Sequence, residues 1–144
     1  MGSTYYNLKT HVVFSTKERR RMIDPKWMSR LHAYLGGCAR TVGAVAEEVG
    51  GVEDHVHLML SLKPALRLSD VLREIKSASS AWVHEEIGEK LFAWQEGYSA
   101  FSVSASQVER VRRYIRNQAE HHRRRTFADE IRELLAAHGI PIEP

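Results

Sequence analysis

The chain has 144 residues, 43% of them hydrophobic and 27% charged, with one cysteine and a formal net charge of +3. That length suits one domain with its own core rather than two, and a lone Cys38 excludes an intrachain disulfide framework. No apolar run approaches the ~20 residues of a membrane span and the N-terminus carries no signal-peptide core, so the expected setting is the reducing cytoplasm, away from membranes.

Tyr5 to Thr16 alternates, with Tyr6, Leu8, Val12 and Phe14 on one side and Asn7, Lys9 and His11 on the other, which predicts a half-buried strand. The basic loop Lys17-Glu18-Arg19-Arg20-Arg21 follows. Asp24-Pro25 supplies an N-cap and a first-turn proline for a helix whose stripe is Trp27, Met28, Leu31, Leu35, Cys38 and Val42, stopped by Gly43. Cys38, inside that stripe, reads as a small buried hydrophobe. Gly36-Gly37 weakens the helix by about 1 kcal/mol each relative to alanine, which close packing against a neighbour would explain.

Ala44 to Val49 predicts a weaker strand, Gly50-Gly51 a hairpin turn, and Val52 to Leu62 the returning strand. Pro64 breaks the pattern. Ser69 then caps a second helix with the stripe Leu72, Ile75, Ser79, Trp82, Val83 and Ile87, ending at Gly88. Trp94 to Gly97 reads as a loop and Tyr98 to Val103 as a short fourth strand. Ser104 or Ser106, each with Gln or Glu three residues on, starts a third helix in the manner of a capping box. Thr126 begins a last short helix through Phe127, Ile131, Leu134 and Leu135, closed by Gly139 and Pro141. The order strand-helix-strand, strand-helix-strand predicts an α+β, ferredoxin-like (split βαβ) antiparallel sheet. Strands one and three are central and helices cover one face, with a C-terminal tyrosine-bearing helix and a short terminal helix added. We expect one domain over 1–144, its core about 5–122 and a helical tail over 123–144.

Chemistry concentrates in Glu53-Asp54-His55-Val56-His57-Leu58-Met59-Leu60. Alternation sends Val56, Leu58 and Leu60 into the core and His55, His57 and Met59 to the opposite, open face. Two adjacent neutral imidazoles are half of a metal site, or simply polar residues on a wet sheet face. In the third helix Tyr114 and Gln118, one turn apart, flank the stripe Val108, Val111, Ile115 and Ala119. Docked over the open face, that edge brings the Gln118 amide oxygen and the Tyr114 phenol to a cation on His55 and His57; undocked, both are ordinary surface residues. Asp54 either orients an imidazole or shapes the turn. Basic residues cluster in Lys17 to Arg21 and again from Arg110 to Arg125, which fits a polyanion, nucleic acid before membrane. Lys17, Arg19, Arg20, Arg21, Lys76, Arg113, Arg123, Arg124 and Arg125 are the candidate DNA contacts, against a plain solvated surface. His121 and His122 suit a helix-end surface or a DNA contact equally, and Trp82 and Trp94 read as core.

Glu53 to His57, Trp94-Gln95-Glu96-Gly97-Tyr98, and Tyr114-Ile115-Arg116-Asn117-Gln118 with His121-His122, together with Tyr6 to Lys17, resemble the single-tyrosine, HUH-type transposases. These are the small insertion-sequence transposases and their REP-associated relatives. The resemblance runs from about Tyr5 to Phe127 with the motifs in family order. It implies a metal-dependent enzyme that cleaves and rejoins single-stranded, hairpin-containing DNA through a 5′-phosphotyrosine. Tyr114 would be the nucleophile, His55, His57 and Gln118 the ligands of Mg²⁺ or Mn²⁺, and the active form a homodimer with composite sites. The residue before Asp54 is Glu53 where some members carry proline.

The residue types make chemical sense independently. Imidazoles and an amide oxygen are neutral, so they leave the charge of a cation available to a phosphodiester, and Mn²⁺ suits the mixed set. A phenol with pKa of about 10 needs a cation or a base to act near neutrality. The competing readings are a domesticated, replication or relaxase-type nicking enzyme, and a non-catalytic single-stranded nucleic-acid module. The module lacks stacking aromatics on the histidine face. A zinc hydrolase would need another His, Asp or Cys at ligand spacing, and the sequence offers none as good as Gln118.

Overall fold

A computed structural model describes residues 2–142; Met1 and Glu143-Pro144, the ends of the expected 1–144 domain, lie outside the described residues. The strands are β1 (Leu8–Ser15), β2 (Val45–Val52), β3 (His55–Leu62) and β4 (Ser99–Ser102). They form one antiparallel sheet in the order β2-β3-β1-β4, with β1 and β3 central as the ferredoxin-like order requires. The crossovers are α1 (Pro25–Thr41) and α2 (Leu68–Trp82); α3 (Val108–Arg116), α4 (Gln118–His121) and α5 (Phe127–Ala137) follow β4. None of the described helices is long and apolar enough to cross a membrane.

Strand alternation divides the sheet into two working faces. Val12 and Phe14 of β1 and Val56, Leu58 and Leu60 of β3 pack with Trp27, Leu31 and Leu35 of α1 and Leu72 and Ile75 of α2 in the main core. Asp24 caps α1 as expected, its carboxylate accepting from the Lys26 N–H at 2.8 Å with Pro25 in the first turn. α2 instead starts at Leu68, so Ser69 lies inside it, and Arg67 holds the cap position without a side-chain bond. Past Trp82 the chain makes a π-type turn, Val83–Ile87, ended by Gly88 at φ 88°. Gly36 and Gly37 have nothing within 4 Å of where a Cβ would sit, so close packing does not explain them.

The second face is not open. The last three helices cover it, with Val13, Phe101 and Phe127 packed against Ile131, Leu134 and Leu135. His11, His55, His57 and Met59 are consequently no more than 3% exposed. The expected glycine turn is also displaced. Gly50 and Gly51 belong to β2, and the hairpin reverses at Glu53-Asp54 instead. Gly50 pairs with His57, and a Cβ on it would lie 2.1 Å from the Ile115 carbonyl oxygen of α3. The missing side chain lets the helix backbone seat directly on the sheet beside the histidines.

α3 begins after a 3-10 turn, Ala105–Gln107, with no side-chain cap from Ser104 or from Ser106. It ends at Asn117 (φ −98°, ψ 26°), so Gln118 stands on a separate short helix rather than on the tyrosine helix itself. The break turns Gln118 inward and leaves Ala119 exposed, although an unbroken helix would place both beside Ile115.

The two kinds of glycine predict opposite outcomes. Gly36→Ala fills open space on a helix and should stabilise by about 0.5–1 kcal/mol. Gly50→Ala forces α3 off the sheet and should destabilise by about 1–3 kcal/mol or more. Urea unfolding of the two variants reads the signs, and equal effects would remove Gly50 as the seat of α3.

Candidate active site

β3 puts His55 and His57 on one face with ring centroids 5.0 Å apart. Each ring is gripped from outside through Nδ1. That of His55 donates to Asp54 Oδ1 at 2.7 Å, and that of His57 lies 2.8 Å from Nε2 of His11 on β1. A third imidazole follows the same plan: His122 Nδ1 donates to the Arg125 carbonyl at 2.7 Å. All three Nε2 atoms then face one carboxylate oxygen, Glu130 Oε1, at 3.2, 3.1 and 3.0 Å from His55, His57 and His122. Phe127, one turn before Glu130 on α5, stacks on His55 at 4.2 Å between centroids and closes the site from that side.

The other carboxylate oxygen serves the neighbouring helices. Glu130 Oε2 accepts the Tyr114 hydroxyl and, at 3.1 Å, the Gln118 amide N–H. The same amide nitrogen donates to the Tyr114 carbonyl at 3.3 Å, leaving Gln118 Oε1 3.2 Å from His55 Nε2. Gln118 and Glu130 are 1% exposed. A single chain thus brings Tyr114 to its own histidine pair, with its ring 5.7 Å from that of His57.

The electrostatics follow from burial and partners. Burial alone would raise the Glu130 carboxyl, but hydrogen bonds from His122, His55 and His57 outweigh it and hold it well below the usual carboxylate range. Burial, the Glu130 hydrogen bond and the Glu130 charge push the Tyr114 phenol well above its ordinary value. Burial lowers His57 to about 4 and His11 to about 3, so both are neutral. Burial also opposes the charge on His55, yet the hydrogen bonds it donates to Asp54 and Glu130 raise it. His55, His57, His122 and Glu130 present ligand atoms within 4.8 Å of one another, a donor set that can hold a divalent metal. The inward Nε2 atoms, each with its Nδ1 engaged elsewhere, fit such an ion.

Of the residues expected from sequence, His55, His57, Gln118 and Tyr114 converge. The basic residues lie around the site rather than in it. Arg110, Arg113, Arg124 and Arg125 line a surface concavity of about 580 Å³ that reaches Tyr114. Arg21 and Arg123 to Arg125 line a second, of about 560 Å³, that reaches Asp54 and His122. Arg123 pairs with Glu120 at 3.1 Å, Arg125 with Glu133, and Arg20 with Glu18 at 2.8 Å. Arg19 covers the Phe127 ring at 5.2 Å, and Lys17 is exposed. Lys76 directs its ammonium at the Gln95 and Gly97 carbonyls, at 2.6 and 2.8 Å, which secures the Trp94–Gly97 loop rather than facing a phosphate.

Glu130, His122 and His11 were not expected in the site, and His122 with Glu130 supplies the further ligand types that the sequence seemed to lack. Their signals were present. His122 continues the four-residue spacing of Tyr114 and Gln118, and Glu130 falls in the apolar stripe between Phe127 and Leu134, where a carboxylate requires buried partners.

A family profile described as "Transposase IS200 like" matches residues 4–118. The transposase for insertion sequence element IS200 of Salmonella typhimurium is 26% identical over 137 residues, covering 83% of this chain and 82% of that protein. The ISDra2 transposase TnpA of Deinococcus radiodurans is 26% identical over 119 residues, covering 78% and 85%. A crystal structure from Deinococcus radiodurans R1, described as that of a transposase, shares the fold with a TM-score of 0.67 and 24% identity, over 82% of this chain and 96% of that one. A REP-associated tyrosine transposase bound to a REP hairpin does so with a TM-score of 0.57 and 16% identity, over 80% and 70%.

Neutral His11 and His57 make the metal-free fold sensitive to acid. Below the ordinary histidine value of 6.5 the unfolded chain takes up protons that the folded rings refuse until about 4 and about 3, so stability falls with pH across that window. Glu130, held low, acts in the same direction below the ordinary carboxylate range. His55, raised, opposes them, its contribution being present in acid and lost as pH rises through its folded value. In a chelator, the unfolding free energy should drop by about a few kcal/mol between pH 7 and pH 4.5. A flat or rising profile would show that the two rings carry charge in the fold.

Proposed function

The chain belongs to the IS200-like transposase family, and on that premise we propose that it cleaves and rejoins single-stranded, hairpin-containing DNA with a divalent cation, through a covalent phosphotyrosine. The observation that carries this reading is the convergence of the Tyr114 phenol, the Gln118 amide and the His55–His57 pair around Glu130. The REP-associated relative, solved on a REP hairpin, supports a hairpin-bearing DNA partner. The arginines that line the two concavities beside the site are placed to draw phosphates toward it.

His55, His57 and Gln118 Oε1 would hold the cation, with His122 Nε2 and Glu130 Oε1 within reach as further ligands. Three imidazole nitrogens favour Mn²⁺, and Mg²⁺ fits where phosphate oxygens complete the shell. A cation held there would supply positive charge to the phosphodiester and so offset the negative charge that develops during cleavage. Tyr114 Oη attacks phosphorus as its proton is released to solvent, with Glu130 Oε2 orienting the hydroxyl that it bonds. The P–O3′ bond breaks and the 3′-oxygen leaves as a hydroxyl, protonated from solvent, with the DNA 5′-phosphate esterified to tyrosine. Rejoining reverses these transfers when a 3′-hydroxyl attacks that ester. Gln118, tied to the Tyr114 carbonyl and to Glu130, keeps phenol and ligand oxygen in register.

α5 supplies Glu130, so on this reading the helical tail of the single domain contributes to the working site. Tyr114 serves its own chain in this arrangement. In a homodimer with composite sites, α3 would first have to leave its seat on Gly50.

Labelled single-stranded DNA with Mn²⁺ should yield a covalent adduct that Tyr114→Phe abolishes while DNA binding persists. An undiminished adduct would move the nucleophile elsewhere, and affinity without adduct in either metal would favour a binding module. His57→Ala should lose cleavage, and cleavage unchanged by a chelator would reject the metal role. Glu130→Gln keeps the shape of the side chain but removes the charge that gathers the phenol and the imidazoles, so adduct formation should slow by about 10²-fold. A wild-type rate in that variant would relieve Glu130 of positioning Tyr114.

A further inference from the structure

His11 is the one imidazole in contact with the site that faces away from its centre. It is 3% exposed, stands on β1 beside β3, and meets His57 through a 2.8 Å contact between its Nε2 and His57 Nδ1. The two rings stack with centroids 5.0 Å apart, 25° from parallel. Phe101 and Tyr114 flank the His11 ring at 5.9 Å each, so it has little freedom to turn.

We infer that His11 is a positioning residue for His57, deciding which ring nitrogen of His57 is free to meet a cation. The inference rests on the proposed cation site. Of the two nitrogens in the 2.8 Å contact, one must donate and one accept. Without a cation, His57 Nε2–H faces the Glu130 carboxylate at 3.1 Å, so its Nδ1 accepts from His11 Nε2–H. With Nε2 given to a cation, the proton of His57 must sit on Nδ1 and be donated outward. His11 then accepts at Nε2 and carries its own proton on Nδ1. Both rings are neutral before and after, and each has moved one proton from Nε2 to Nδ1.

A neutral imidazole is suited to this work because it can play either part, which a carboxylate or an ammonium cannot. The partner of His55 shows the contrast: Asp54 only accepts, which suits a ring whose Nδ1 always donates. A cavity of about 620 Å³ lined in part by His11, Tyr114 and Glu130 leaves the His11 ring a route to solvent.

Mn²⁺ titrations followed by the electron paramagnetic resonance of the free ion test this on the whole chain. His11→Phe keeps a flat ring but can neither donate nor accept, and it should bind Mn²⁺ about 10–100-fold more weakly. His11→Gln places an amide near the position of Nε2 and should recover most of that loss. Should the Phe variant not fold beside Phe101, as judged by urea unfolding in a chelator, His11→Leu takes its place. Wild-type affinity in the Phe or Leu variant, or equal losses in all of them, would overturn the assignment. Equal Mn²⁺ binding by wild type and His57→Ala would overturn the cation site itself, and this inference with it.

Discussion

The polar cluster on the second face of the sheet is gathered around one buried carboxylate. An ionised Glu130 with 1% exposure would be prohibitively unstable alone, and it is tolerated because both its oxygens are saturated. Oε1 gathers the imidazoles of β3 and His122, while Oε2 gathers the phenol of α3 and the amide of Gln118. A single side chain from α5 therefore fixes the distance between the histidine pair and the Tyr114 phenol. β3, α3 and α4 converge on α5 because each satisfies part of the charge that Glu130 carries.

The sheet makes this possible by separating stability from chemistry along one strand. In β3, Val56, Leu58 and Leu60 anchor the main core through α1 and α2, while His55 and His57 project into the polar cluster behind. His57 sits between the core residues Val56 and Leu58, and His55 directly precedes Val56, so both backbones are anchored by the core. Side chains on a central strand are held more tightly than on a loop. The outer contacts to Asp54, His11 and the Arg125 carbonyl then fix ring orientation, which the backbone alone cannot do.

Period-two alternation around His55 and the capped amphipathic pattern from Asp24 made the strand order, the main core and the histidine face legible in the sequence. The placement of Tyr114 and Gln118 near that face was legible too, from their spacing and from the family resemblance. What escaped was set by long-range packing. Gly50-Gly51 looks like a turn because glycine is a turn residue, and only the approach of Ile115 reveals that the missing Cβ makes room for a helix. Gln118 looked like part of the tyrosine helix because nothing local announces the break at Asn117. Glu130 lay among the surface carboxylates of α5, and its burial depends on α5 folding back over β1 and β4. Lys76 reads as a candidate DNA contact in the sequence because its carbonyl partners are nineteen and twenty-one residues away.

The break at Asn117 and the absent side chain at Gly50 solve one geometric problem from two sides. A phenol and an amide one turn apart on an unbroken helix both flank its apolar stripe, and neither points squarely at the sheet. Lowering α3 onto Gly50 brings Tyr114 close enough for its hydroxyl to reach Glu130. Ending the helix at Asn117 lets Gln118 rotate inward, where its amide nitrogen bonds the Tyr114 carbonyl. Displacements of about 1 Å at a reacting centre can cost on the order of 10²-fold in rate. Gly50, with no functional group of its own, thus governs the reach of the Tyr114 hydroxyl through the seat it gives α3.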